Sequence, residues 1–349
     1  MFKHRYVILL LIGILVTGCG TDNVVDLGQP DPVPGPDPGP PTPSPTENLA
    51  TSPPTGMVGR IMYQGLVNNQ FNSRHLFLTQ PDGSGTVSLF ETSDPFWYTG
   101  PSWGPTGEKL VVATNLQTQA EWDIYTMNVD GTGMTHTIAG PSSGDFAPAW
   151  SPDGSQILFQ STTVGTNVFD IYIFDVATEI ITNLTNSENA DELAAWAPDG
   201  VRFVYQKTNT TGTHLWTMNA DGSNNVALTN THGVQNSGAA FSPDGTLIAF
   251  DSTMHQPPSS TITIGDFEIY VMNTDGTNPR RLTEGVGIDD SARFPTWSPD
   301  GRHIAFEFHD NARSQFFSVT SIAVMNADGS NIYLLEDQPV DGTFPRWGP

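Results

Sequence analysis

The sequence predicts an all-β chain, a six-bladed β-propeller of four-stranded blades whose ring is closed by the C-terminal strand completing the first blade. Three observations predict it. The stretch WSPDG occurs at 150–154 and 297–301, with looser copies WGPTG at 103–107, WAPDG at 196–200 and FSPDG at 241–245, and a truncated WGP at 347–349. The lead aromatics are spaced by 47, 46, 45, 56 and 50 residues. A period near 45 residues that carries an aromatic and a tight turn marks a propeller blade. Between these turns, short β-rich runs recur in a fixed order. Finally, the first run, at 60–64, has no aromatic strand before it, while the chain ends on a spare one, Phe344-Pro345-Arg346-Trp347. Lending that strand to the first blade makes six blades and removes two sticky sheet edges.

In chain order, residues 1–18 combine Lys3 and Arg5 with an apolar run at 6–15. That run is too short to span a bilayer and suits an export signal. It leads to Val16-Thr17-Gly18-Cys19, which resembles a bacterial lipobox; the resemblance implies cleavage before Cys19 and lipidation of its thiol. Cys19 is the single cysteine of the sequence, so no disulfide is expected in the folded part. Gly20 in the next position implies sorting to the outer membrane. Residues 19–56 are expected to be the lipidated cysteine and a Pro-rich linker, since 29–46 reads QPDPVPGPDPGPPTPSPT. Proline at this density excludes helix and interior strand. At about 3.1 Å per residue, the stretch from Pro30 to Thr46 would reach about 50 Å as a stalk.

Residues 57–349 are expected to be the propeller. Each unit has a first run (RIMYQ 60–64, KLVVA 109–113, QILFQ 156–160, RFVYQ 202–206, LIAFD 247–251, HIAFE 303–307). A second run ends in a turn, as in IYTMNVDG at 124–131 and IYVMNTDG at 269–276; the copy at 171–179, IYIFDVATE, lacks the glycine. A brief third strand, such as Arg281-Leu282-Thr283 or Asn183-Leu184-Thr185, precedes small residues and the next aromatic strand. That innermost strand crowds the axis, which suits Ala147, Ala149, Ala194, Ala195, Ala239 and Ala240. Pro-Asp-Gly and Asn-x-Asp-Gly turns are compact because proline presets φ, aspartate bonds locally and glycine accepts positive φ. They form one regular face. The longer, variable connections all fall on the opposite face, where a rigid scaffold usually carries function.

These residues resemble the WD40-like (PD40) repeat of the TolB family, whose copies read close to IYVMNADG…LT…PAWSPDG…IAF, and the resemblance covers all six units. It implies a six-bladed propeller of the bacterial envelope that binds other proteins through its loop face. TolB proteins carry an α/β domain before the propeller, whereas here the lipobox and the Pro-rich stretch take that place. The resemblance therefore implies the propeller's binding role and not a place in the Tol–Pal system.

The 349 residues carry 13 Lys+Arg against 37 Asp+Glu, a formal charge of −24, and two of the basic residues lie in the export signal. Such a balance argues against nucleic acid and against a basic membrane patch, leaving the lipid as the only membrane contact. The expected partner is an envelope or secreted protein, bound by a monomer. The candidate binding face comprises Asp94, Trp97, Tyr98, Asp145, Asp191, Glu192, Asp289, Asp290 and Asp341, all shortly before the lead aromatics. Their carboxylates could also hold a divalent cation such as Ca²⁺, which wants several oxygen ligands, or serve a polysaccharide lyase or hydrolase. Phe71, Phe96, Trp97, Tyr98, Phe316 and Phe317 are read as loop aromatics that either make contacts or fill the core. The eight histidines lack metal-ligand spacing and are read as solvated. A Gly-x-Ser-x-Gly match at 100–104 lies in a predicted propeller strand rather than at a strand–helix elbow, and is set aside.

Overall fold

The computed structural model describes residues 49–67, 70–90, 96–116, 121–140, 144–162, 168–255, 267–283, 291–310, 319–335 and 341–349. The chain divides into two units, Met1–Pro41 and Thr42–Pro349, and every described residue lies in the second. It is a six-bladed propeller. Strands are numbered in chain order, and each blade is described from the axis outward. Blade 1 is β24 (Thr343–Gly348), β1 (Arg60–Val67), β2 (Gln70–Thr79) and β3 (Val87–Ser88). Blade 2 is β4 (Tyr98–Trp103), β5 (Lys109–Thr114), β6 (Asp123–Asn128) and β7 (Thr135–Ile138). Blade 3 is β8 (Asp145–Trp150), β9 (Gln156–Thr162), β10 (Phe169–Asp175) and β11 (Ile181–Asn183). Blade 4 is β12 (Ala190–Trp196), β13 (Arg202–Asn209), β14 (Gly212–Asn219) and β15 (Val226–Ala227). Blade 5 is β16 (Asn236–Phe241), β17 (Leu247–Ser252), β18 (Glu268–Asn273) and β19 (Arg280–Arg281). Blade 6 is β20 (Ser291–Trp297), β21 (His303–Asp310), β22 (Val319–Asn326) and β23 (Tyr333–Leu334). All pairings are antiparallel, and the six inner strands pack on one another around the ring, the last against the first.

The repeated residues build the blades by repeated bonds. In each Ser-Pro-Asp-Gly turn the aspartate bends back on its own loop. Asp153 accepts the Ser151 hydroxyl at 2.7 Å and the Ser155 N–H at 3.0 Å, and these bonds hold its carboxyl down at about 2. Asp244 and Asp300 repeat the pattern with Ser242 and Ser298. The Leu-Thr pair after the third strand is explained the same way. Leu282 N–H donates to Ile269 O, and Thr283 Oγ accepts the Ile269 N–H at 2.9 Å. Leu184-Thr185 and Leu228-Thr229 do likewise. These side-chain bonds replace ladder bonds, so the third strands end earlier than the sequence predicts, at Arg281 rather than Thr283 and at Asn183 rather than Thr185.

Six seams hold the ring. Apolar clusters fill each one, for example Ile61, Tyr63, Ala305, Val324 and Trp347 between blades 6 and 1. The lead aromatic of the repeat is a bolt: the indole N–H of Trp103, Trp196 and Trp297 donates to the carbonyl of Arg346, Ala149 and Ala240, each in the preceding blade. Trp347 donates to Val58 O at 2.7 Å, which ties the C-terminal strand to the residues just before β1.

The inner strands depart from the expected smooth strand of small residues. Each carries a β-bulge three residues before its aromatic, with positive φ at Gly100, Ala147, Leu193, Gly238, Phe294 and Phe344. A bulge adds a residue and re-aims its neighbours. Four of these six are not glycine, and each carries the strain of the left-handed region. Buried acceptors of the preceding blade stabilise the turned backbone. Gln160 Oε1 takes the Leu193 N–H at 2.9 Å, Asp251 Oδ1 the Phe294 N–H at 3.2 Å, and Glu307 Oε2 the Phe344 N–H at 3.1 Å. The Gly-x-Ser-x-Gly match falls on such a bulge in β4, which explains its glycine without any nucleophile.

Candidate functional site: the long-loop mouth of the ring

The inner strands start at the long-loop face, and there backbone bonds join neighbouring blades at five seams. Asp145 N–H donates to Trp122 O, Ala292 N–H to Phe267 O, and Gly342 N–H to Thr320 O; Arg74 bridges Trp97 and Thr213 bridges Gln235. These bonds fix the side chains around the mouth on strand ends rather than on free loops. Four groups of side chains stand there.

At the seam of blades 1 and 2, Arg74 pairs with Asp341 and donates to Thr343 Oγ at 3.3 Å. Its guanidinium lies 6.0 Å from the centre of the Trp97 ring. Trp97 is half-buried and its backbone N–H donates to Asn115 Oδ1 at 3.0 Å. An arginine held between a carboxylate and an indole is pre-organised, and Trp and Arg are the residue types that anchor protein contacts.

Next, Trp122, Phe146 and Phe169 form an aromatic row, with ring centres 5.2 and 5.9 Å apart. Trp122 and Phe169 are half-buried. Beside them Asp145 is fully buried, accepting the Gly140 N–H at 2.6 Å. Burial pushes its carboxyl up to about 6, against the opposing pull of Ser161 and Gly140, and the nearby Asp123 carboxylate adds to the rise.

In blade 4, Asp191 is fully buried and paired with Lys207 at 3.1 Å. Ser187 Oγ donates to Asp191 at 2.7 Å and Lys207 Nζ to Ser187 at 3.0 Å. Burial raises the Asp191 carboxyl, and Ser187 and Lys207 oppose it. Glu192, half-buried, accepts Gln206 at 3.2 Å and is raised by burial and by the Asp191 charge. A serine–lysine contact would suggest a nucleophile, but here both side chains are turned onto the buried Asp191 carboxylate.

Between blades 5 and 6, Arg293 stacks on Phe267 at 4.2 Å and Phe294 at 4.8 Å while its Nε lies 3.5 Å from the buried Asp251. Phe294 and Phe344 rings meet at 4.5 Å.

Of the candidate residues read from sequence, the structure therefore places Trp97 and Asp341 together at one seam, and Asp191 and Glu192 together in blade 4. Asp145 and Asp191, placed on the candidate binding face from sequence, are inaccessible to solvent: each faces inward and serves as an acceptor for neighbouring donors. Tyr98 is also corrected. It is 2% exposed and stacks on Phe90 at 3.8 Å, so it belongs to the core. Asp94, Asp289 and Asp290 lie outside the described residues, as do Cys19, Phe316 and Phe317 and the side chain of Phe71. Among the described residues no group of three His, Cys, Asp or Glu side chains is placed to hold a metal ion. His75, His214, His303 and His309 are buried rather than solvated. His309 pairs with Glu307 at 2.6 Å, and burial lowers His214 and His303.

Sequence reasoning missed Trp122, Phe169, Phe267 and Arg293. Their signal is positional: the three aromatics stand at or just before β6, β10 and β18, the corresponding strands of blades 2, 3 and 5. It also missed Arg346, which stands where the other blades have Ser102, Ala149, Ala195, Ala240 and Thr296. Its guanidinium donates to Pro345 O, and burial pulls its pKa down to about 10.

A ring of four-stranded blades with an aromatic and charged mouth at its long-loop end defines the class, a β-propeller built to present one face. Likeness to known proteins then narrows it. Residues 86–257 match the TolB beta propeller domain, PD40, and the chain carries a TolB-like propeller. It is 29% identical over 181 residues to an uncharacterized protein of Agrobacterium fabrum, spanning 50% of this chain and 58% of that one. It is 35% identical over 170 residues to the Tol-Pal system protein TolB of Gluconobacter oxydans, spanning 48% of this chain and 34% of that one. Thus the chain spans less than two thirds of either relative. The crystal structure of TolB from Acinetobacter baumannii superposes with a TM-score of 0.63 at 21% identity, over 84% of this chain and 69% of that one; at such identity the likeness is one of fold.

Proposed function

We propose that this chain is a non-enzymatic binding module of the bacterial cell envelope, lipid-anchored at the outer membrane through Cys19, that engages an envelope or secreted protein at the long-loop mouth of its propeller. The observation that carries the reading is the mouth itself. Arg74, Trp97 and Trp122 are half-buried residues of anchor type, held by backbone bonds between blades, with the half-buried Asp341 and Phe169 beside them. Binding hot spots are aromatic and arginine side chains partly embedded in rigid surroundings. The location follows the lipobox and the Tol-Pal name of the Gluconobacter relative. The buried carboxylates do not converge: Asp145 and Asp191 belong to different blades, each engaged by its own partners, which is why the binding reading is preferred to a lyase or hydrolase.

The test is an envelope pull-down after mild crosslinking. The full chain carries an affinity tag inserted in the Pro-rich segment, so that β24 stays free to close the ring. A dominant protein partner, lost on Trp97→Ala or Trp122→Ala and kept on Asp130→Asn at the opposite face, supports the reading. A partner that is indifferent to all three variants would refute it, as would turnover of a glycan panel that Asp145→Asn abolishes.

A further inference from the structure

The seam between blades 3 and 4 differs from its neighbours. At three other seams the glycine of an outer turn abuts a backbone carbonyl of the preceding blade: Gly131 on Leu89, Gly276 on Leu228 and Gly329 on Leu282. At the blade 3–4 seam a Cβ on the corresponding Gly222 would come no nearer than 3.9 Å to anything, and that contact is the Leu184 Cδ2. The seam stands open there as a cavity of about 340 Å³, lined among others by Ile173, Ile180, Thr182 and Leu184 of blade 3 and Ala220 and Asp221 of blade 4. That is the small end of ligand-site volumes and suits one large side chain.

Three further observations say what would fill it. Exposed apolar residues gather here: Ile180 is 60% exposed and Val176 40%, and Val201, whose carbonyl accepts the Ala220 N–H, is 59% exposed. Four of the six large hydrophobic side chains exposed among the described residues belong to these two blades, so the concentration is local. Among the described residues the strand beside the cavity, β11, is the outer edge of its sheet. An unpaired edge is a template for another strand. The charge nearby is acidic. Asp175 and Asp221 line the cavity, and among the described residues no ion pair involves either. Arg202 of blade 4 is engaged by Asp199 at 3.1 Å.

We propose that this seam is a docking site, separate from the long-loop mouth, for an extended segment of a partner protein. The segment adds as a strand to β11, seats one large aliphatic or aromatic side chain in the cavity, and sets a flanking lysine or arginine against Asp175 and Asp221. Main-chain bonds give such a site affinity and the side-chain cavity gives it specificity. The apolar side chain is selected by Ile180 and Leu184, and the basic one by the Asp175 and Asp221 carboxylates, which no cation among the described residues engages.

A displayed library of short random peptides, selected on the full chain in detergent, tests this. The recovered peptides should share an apolar residue beside a lysine or arginine. Their affinity, read by fluorescence polarisation, should fall at least about tenfold on Ile180→Asp and less on Asp221→Asn, the latter loss shrinking with salt. Trp97→Ala should leave it unchanged, which separates this site from the mouth. Both seam substitutions are at exposed positions, and circular dichroism checks that they fold. Peptides that bind the Ile180→Asp chain as tightly as the parent overturn the proposal, as does a selection without the apolar–basic pattern. A dimer in sedimentation that Ile180→Asp dissociates also overturns it, since the occupant would then be a second copy.

Discussion

Replacing Asp145 by asparagine should make the protein more stable at neutral pH, and the gain should vanish in acid. Asp145 opens β8, is inaccessible to solvent, and carries a carboxyl raised by burial from 3.8 to about 6. The native state therefore binds its proton more tightly than the unfolded chain does. Stability contributed by this group is full below the unfolded value and declines as pH rises through the folded value, the reverse of the usual aspartate. A rise of about two pKa units corresponds to about 3 kcal/mol against folding once the group is charged, at about 1.4 kcal/mol per unit. Asparagine keeps the acceptor for the Gly140 N–H, which lies 2.6 Å away, and offers Ser161 a donor. It carries no charge at any pH. Urea unfolding of Asp145→Asn and its parent should differ by up to about 3 kcal/mol near pH 7.5, with the difference closing between about pH 6 and pH 4. A variant less stable than the parent at pH 7.5, or a gain independent of pH, would refute the reasoning and make the charged carboxylate a net stabiliser.

Three further outcomes test the seams. Trp347→Ala should cost about 3–5 kcal/mol, the usual range for a buried large aromatic, because Trp347 fills the blade 6–1 cluster and bonds Val58 O; chemical unfolding checks it. Gly276→Ala should destabilise more than Gly222→Ala, as read from paired melting curves. Both glycines have φ near +84° (84° and 83°), which costs an alanine about 1–2 kcal/mol, but only at Gly276 would the Cβ stand 2.6 Å from a backbone carbonyl. Asp251→Ala should cost about 3–5 kcal/mol, since it strands Arg293 and removes the acceptor of the Phe294 N–H; Asp251→Asn, which keeps an acceptor, should cost less in the same assay.

The architecture was legible because each blade repeats the same chemistry. The lead aromatic marks an inner strand, and at Trp103, Trp196 and Trp297 its indole reaches the previous blade, while that of Trp150 donates to Gly154 O of its own turn; the Asp-Gly pair marks a turn whose bonds are local. Closure by Phe344-Pro345-Arg346-Trp347 was legible too, since an unpaired strand at one end matched a missing one at the other. The bulges were not. Leu193, Phe294 and Phe344 have no local reason to adopt positive φ; acceptors at Gln160, Asp251 and Glu307, more than thirty residues away in sequence, hold them there. The candidate face was only partly legible for the same reason. Position before a lead aromatic identified Trp97 and Asp341, but burial is decided by the neighbouring blade. Tyr98 and Asp145 therefore lie inside while Trp122 and Phe169, unremarkable in sequence, stand at the mouth.

The central claim is that partner binding occurs at the long-loop mouth. Site-specific photocrosslinking in living cells tests it most directly, with the photoreactive residue placed in turn at Trp97, at Trp122 and, on the opposite face, at Thr132. Binding at the mouth predicts a discrete adduct from the first two positions and none from the third. An adduct from Thr132 alone would contradict it and move the binding surface to the face of tight turns.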